Sequence, residues 1–136
     1  QFARLPGLRW ISEYVLPREL VAQSVANVYG DPSRLSSAVV DRYFELALRE
    51  GNRRALGLRL QQMDMGADAG RIAGVTQPTL ILWGGRDRLI PPSVARVFEQ
   101  QIKGSRLVVL PGLGHMPQEE DPVRSLQPVQ AFIGWK

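Results

Sequence analysis

Two kinds of hydrophobic spacing divide the chain. Over residues 1–66 the apolar positions recur at helical intervals, whereas over 75–136 short continuous apolar runs alternate with helical stretches. Residues 16–29 carry Leu16, Leu20, Val21, Val25 and Val28 as one stripe, and Gly30-Asp31-Pro32-Ser33 breaks it. Ser37 is the expected cap of a second helix with Val40, Tyr43, Phe44, Ala47 and Leu48 on its apolar side, and Gly51 lies just past its end. Asn52 is expected to cap a third helix running through Leu56, Leu60 and Met63. Gly66 to Gly74 reads as a small-residue connection holding one helical turn around Ala69–Ile72.

The second segment reads strand, helix, strand, helix. Thr79–Trp83 is an uninterrupted apolar run, as in a strand buried on both faces. Pro92–Lys103 predicts a helix burying Val94, Val97, Phe98 and Ile102, stopped by Gly104, and Arg106–Leu110 is the second strand. Asp121-Pro122 opens the last helix as N-cap and first helical residue. Leu126, Val129, Phe132 and Ile133 form its expected buried face, and Pro128 inside it should kink it or split it in two. The fold class is therefore α/β: a helical segment over 1–66, a connection over 67–74, and an α/β part over 75–136.

Composition narrows the function classes. A chain of 136 residues with 44% apolar content is enough for one domain with a modest core. It has no cysteine, which excludes thiolate catalysis and cysteine-based zinc sites, and its one histidine argues against a histidine-rich metal site. The net charge is +4 and the pI about 10.1, but the 17 basic residues are dispersed and interleaved with acids, as in Asp41-Arg42 and Asp87-Arg88. A nucleic-acid binder concentrates such charge in a stripe, so none is expected as a partner. No apolar stretch approaches the ~20 residues of a membrane span, so no membrane association is expected either. The expected location is the cytoplasm. The start, Gln1-Phe2-Ala3-Arg4, lacks a methionine and a signal-peptide layout and reads as a cut or processed end.

The candidate chemistry sits in two loops. Asp87 follows the first apolar run in Gly84-Gly85-Arg86-Asp87-Arg88-Leu89-Ile90-Pro91, and His115 follows the second in Pro111-Gly112-Leu113-Gly114-His115-Met116-Pro117. Parallel strands joined by a helix bring their C-terminal loops side by side, the edge where ligand chemistry gathers in open α/β sheets. A carboxylate beside an imidazole there fixes its tautomer and stabilises the imidazolium formed in general-base catalysis. Taken singly, each residue has a plainer reading: an Asp after a strand is a common turn former, and a lone His is commonly structural. The glycines around both favour sharp turns, as a site loop needs.

Other motifs fall away. There is no Gly-x-Gly-x-x-Gly after a strand and no Walker-type loop. Glu119-Glu120-Asp121 reads as favourable charge at a helix start rather than as a metal cluster. Trp10, Met63 and Met65 could line an apolar pocket, though core packing is the commoner role. No metal and no cofactor are expected.

Both loops resemble motifs of the α/β-hydrolase fold. Pro78-Thr79-Leu80-Ile81-Leu82-Trp83-Gly84-Gly85-Arg86-Asp87-Arg88-Leu89-Ile90-Pro91 resembles that family's seventh strand and acid loop. Gly114-His115-Met116-Pro117-Gln118-Glu119-Glu120-Asp121-Pro122 resembles its Gly-His-x-Pro-x-x-Glu-x-Pro histidine loop. Residues 1–66 are similar to the variable helical lid. The resemblance implies the C-terminal portion of such a fold, with Asp87 as triad acid and His115 as general base of a hydrolase acting on a small-molecule ester, or on a related carbonyl or C–C bond. It also implies that Leu89, Ile90 and Met116 face the substrate.

The family's Gly-x-Ser-x-Gly elbow and oxyanion loop precede the lid, and no serine of this chain has that setting. The nucleophile (Ser, Cys or Asp in the wider family) is therefore expected from an N-terminal half. Alone, the chain should be inactive, and its unpaired strand edge should be met by that half or by self-association. Two rivals stand beside this reading. One is a non-catalytic interaction module derived from a hydrolase; the other is a receiver-like domain phosphorylated on Asp87, which would want further acids at neighbouring strand ends.

Overall fold

A computed structural model describes residues 16–64 and 66–134; Trp10 and Met65 lie outside the described residues. The chain divides into two compact units. The first contains residues 16–25 and 36–64, and the second contains 26–35 and 66–134.

The first unit is helical. Helix α1 (Arg18–Val28) buries Val21 and Val25, and α2 (Ser37–Leu48) buries Val40. The cap of α2 is Ser36, one residue earlier than expected, with its hydroxyl accepting the Val39 N–H. Helix α3 (Asn52–Gln62) packs against α2. Its cap is Gly51 rather than Asn52, because the short α2–α3 turn needs a left-handed residue and Gly51 adopts φ 81°. The Asn52 amide instead donates backwards to the Leu46 carbonyl at 2.7 Å, closing the end of α2. α3 buries no residue, and Leu56, Leu60 and, just past its end, Met63 are all exposed. Helical periodicity marks an apolar face; it does not say that this chain covers it.

The second unit is the α/β part. Strands β1 (Leu80–Gly84) and β2 (Arg106–Leu110) pair in parallel, from Leu80 opposite Arg106 to Gly84 opposite Leu110. The crossover between them contains α4 (Pro92–Gln101), which packs on both strands, as does the last helix, α6 (Pro122–Ile133). A single turn, α5 (Pro117–Glu120), precedes α6. Ile81, Ala95, Ile102, Leu110 and Leu113 are the buried apolar residues here, and Tyr29 joins them from the segment after α1. Trp83 stacks obliquely on Phe98, with ring centroids 6.1 Å apart.

Several details depart from the sequence reading. β1 begins at Leu80 rather than Thr79, and only Ile81 and Gly84 of it are fully buried. Val97, Leu126 and Ile133 are exposed, whereas Ser125 is buried, its hydroxyl donating to the Pro117 carbonyl at 2.6 Å. α6 runs through Pro128 as one helix, so Pro128 does not split it in two.

Asp121 caps α6 as expected, accepting the Arg124 N–H at 3.1 Å. That backbone bond outweighs the opposing effect of burial and, with Arg34 at 3.2 Å adding to it, holds the carboxyl below the ordinary value of 3.8. A lowered folded-state pKa stabilises above the unfolded value and is lost as pH falls through the folded one. Wild type should therefore exceed Asp121→Ala in stability by a constant margin at neutral pH, and the margin should shrink below about pH 4. Urea unfolding of both proteins from pH 7 to pH 3 checks this; a margin independent of pH would refute it.

Candidate active site

The end of β1 and the end of β2 are held together by backbone. Gly85 N–H donates to the Leu110 carbonyl at 2.9 Å, and Arg86 N–H donates to the Leu113 carbonyl at 2.8 Å. This approach is close enough to require glycine. A Cβ on Gly84 would overlap the Gly114 carbonyl oxygen, and one on Gly114 would overlap the Gly30 nitrogen and the Val28 carbonyl oxygen. Neither residue has a positive φ, so their role is proximity; in these loops the turning glycine is Gly112, at φ 86°.

Asp87 and His115 meet across this junction. His115 Nδ1 lies 2.9 Å from Asp87 Oδ2. The Asp87 side chain is 3% exposed and the imidazole 29% exposed, so the acid is enclosed while the ring reaches the surface. Asp87 Oδ1 accepts the N–H groups of Leu89 and Ile90, both at 2.9 Å. One carboxylate thus does two jobs: one oxygen turns its own loop, and the other faces the imidazole. The turn-former reading of Asp87 and the imidazole-partner reading are both correct geometrically. A carboxylate oxygen accepts, so Nδ1–H is the donor and Nε2 is left with the ring's lone pair in the neutral form.

The flanking apolar residues are placed less decisively. Leu89 and Ile90 are exposed and Met116 is half-buried. The Trp83 indole donates to the Ile90 carbonyl at 3.1 Å, which pins the far end of the acid loop to β1. No group of His, Cys, Asp and Glu residues that could hold a metal occurs among the described residues. No described helix is long and apolar enough to cross a membrane.

The acidic triplet lies at helix starts, Glu119 and Glu120 in the first turn of α5 and Asp121 as the cap of α6, but Glu120 has a further role that the sequence reading did not give it. It is buried, and its carboxylate accepts backbone N–H groups from Gly114 at 2.7 Å, Asp31 at 2.8 Å and Gly30 at 3.0 Å. Tyr29 and Arg88 were missed as site-supporting residues, and Glu120 was legible as the glutamate of the Gly-His-x-Pro-x-x-Glu-x-Pro motif but not as an acceptor of distant backbone groups. Their partners lie up to 90 positions away, so no local pattern shows them.

A family model described as the alpha/beta hydrolase fold matches residues 9–122. The chain is 24% identical over 125 residues to the uncharacterized hydrolase YugF of Bacillus subtilis (strain 168), which covers 92% of this chain and 44% of YugF. Among solved structures it is similar to CarC, a serine hydrolase involved in carbazole degradation, with a TM-score of 0.78 and 25% identity over 91% of this chain and 50% of that one. The meta-cleavage product hydrolase of Pseudomonas fluorescens IP01 shares the fold at a TM-score of 0.74 and 18% identity, over 89% of this chain and 47% of that one. The chain therefore spans about half the length of the proteins it matches. With the parallel βαβ unit and the family model's coverage agreeing, the chain belongs to the α/β-hydrolase fold family.

Proposed function

We propose that this chain supplies the acid, Asp87, and the general base, His115, of a hydrolase whose nucleophile and oxyanion donors come from outside these 136 residues. The observation that carries the reading is the 2.9 Å contact between His115 Nδ1 and an Asp87 carboxylate whose other oxygen is already fixed by two backbone donors. Asp87 then sets the tautomer, and Nε2 takes the proton from an attacking hydroxyl and later returns it to the leaving group. The substrate class is a small-molecule ester, or a related carbonyl or C–C bond. The segment over 1–66, of which residues 16–64 are described, acts as the lid.

The test is reconstitution. The isolated chain should hydrolyse an activated ester no faster than background, and an N-terminal half bearing a Gly-x-Ser-x-Gly elbow should restore turnover when added in trans. Turnover by the isolated chain that His115→Ala abolishes would sink the proposal.

Ile90 follows Asp87 on the same loop and is proposed to meet the substrate. Enlarging it to Phe in the complete enzyme should change discrimination between short and long acyl groups by roughly 1–3 kcal/mol. Ratios of kcat/KM across an ester series measure this, and an unchanged ratio would place Ile90 outside the substrate path.

A further inference from the structure

The segment Val28–Asp31 is hydrogen-bonded to both site loops, and nothing in the acid–imidazole pair itself explains why. Its Val28 carbonyl accepts the N–H of His115 at 2.7 Å. Its Tyr29 carbonyl accepts from the Arg88 guanidinium at 2.6 Å, one residue beyond Asp87. Its Gly30 and Asp31 N–H groups converge on the Glu120 carboxylate, which also accepts the N–H of Gly114, the residue before His115. The segment is anchored in the core, since Tyr29 is 2% exposed. Its own turn is closed by Asp31, which accepts the Ser33 N–H at 3.0 Å.

We infer that Val28–Asp31 is a positioning strap, with Glu120 as its anchor, that adds to the direct backbone contact of the two loops in setting the distance between His115 and Asp87. The strap touches the backbone of His115 and the neighbour of Asp87, so a shift in it moves the two loops relative to each other. Glu120 suits the role because a carboxylate is acceptor-only and has four lone-pair sites, enough for three converging N–H donors. Charge-assisted bonds of this kind are about twice as strong as neutral ones. Glu120 lies on the turn after His115, so its carboxylate joins the strap to the histidine loop. This inference rests on the proposed catalytic pair for its consequence, but not for its geometry.

The chain contains one histidine, so 15N-histidine labelling of the full chain reports a single ring. In wild type, Nδ1–H should give a downfield proton resonance protected from solvent by its bond to Asp87. Glu120→Gln keeps the shape but turns one acceptor into a donor, which must face a backbone N–H of the strap or of Gly114. Protection of the resonance should fall roughly tenfold, the scale of one lost hydrogen bond. Arg88→Met cuts the strap from the acid loop at an exposed side chain, where folding is least at risk, and should weaken the same resonance. Ser36→Ala removes the cap of α2, which involves neither strap nor loops; it should lower the melting temperature and leave the resonance intact. An unchanged resonance in both Glu120→Gln and Arg88→Met overturns the inference; if Glu120→Gln does not fold, Arg88→Met decides alone. Failure of the catalytic proposal would look different: His115→Ala would leave activity in the complete enzyme, whatever the resonance shows.

Discussion

On the proposed function, changing Asp87 to Asn in the complete protein is expected to lower kcat about 10⁴-fold with little change in KM. The size follows from which atoms the amide can offer. The N–H groups of Leu89 and Ile90 both point at the Oδ1 position, so the Asn oxygen settles there. The NH2 group then occupies the Oδ2 position, 2.9 Å from His115 Nδ1 in the wild-type geometry. An NH2 group donates, so Nδ1 must accept, and the ring proton moves to Nε2. That nitrogen can no longer take a proton from the nucleophile. The substitution also separates the two roles of Asp87, because Asn forms the same turn as Asp. If Asp87 only shaped its loop, Asn would be nearly silent. Initial rates on an activated ester, read beside the ring's 15N tautomer pattern, provide the measurement. A fall of less than about tenfold in kcat would remove Asp87 from the chemistry.

What the sequence made legible was the local grammar. The Thr79–Trp83 and Arg106–Leu110 runs lie within a residue of the observed strands, and the helix between them fixes parallel pairing, since parallel neighbours need a crossover. The placement of Asp87 and His115 at adjacent strand ends follows from the same pattern. What was not legible depends on distant partners. Glu120 was legible as the glutamate of the histidine-loop motif, but its backbone partners Gly30 and Asp31, 90 and 89 positions away, were not. The stripe of Leu56, Leu60 and Met63 is apolar on the helical period, but periodicity cannot name what covers it, and these residues stay exposed. Ser125 is the reverse case: a polar residue amid apolar ones, buried because the Pro117 carbonyl gives its hydroxyl a partner. Gly84 was legible as a glycine a site loop would use, but for the wrong reason. It is required by the approach of a neighbouring loop and not by its own dihedral angles.

That distinction yields a large expected effect on stability. Gly84→Ala should destabilise the chain by at least about 3 kcal/mol, at or beyond the upper end of ordinary overpacking. The added methyl would overlap the Gly114 carbonyl oxygen and would lie 2.6 Å from the Leu113 carbonyl oxygen and 2.7 Å from the Gly114 carbonyl carbon. All three are backbone atoms, so no side chain can rotate away to make room. The Gly114 backbone cannot retreat easily either, since it is packed against Val28, Tyr29 and Gly30 on its other side. Relief requires the acid loop and the histidine loop to part, which breaks the Arg86 N–H bond to Leu113 and stretches the Asp87–His115 contact. Gly57→Ala is the matched control. Gly57 lies inside α3, a Cβ there meets nothing within 4 Å, and its φ is not positive. The same chemical change should stabilise there by up to about 1 kcal/mol, because alanine loses less conformational entropy in a helix. Urea unfolding of the two variants against wild type gives both signs in one experiment. A cost below about 1 kcal/mol for Gly84→Ala would mean that the loops separate freely, and that the acid–imidazole distance is not fixed by the close contact of their backbones.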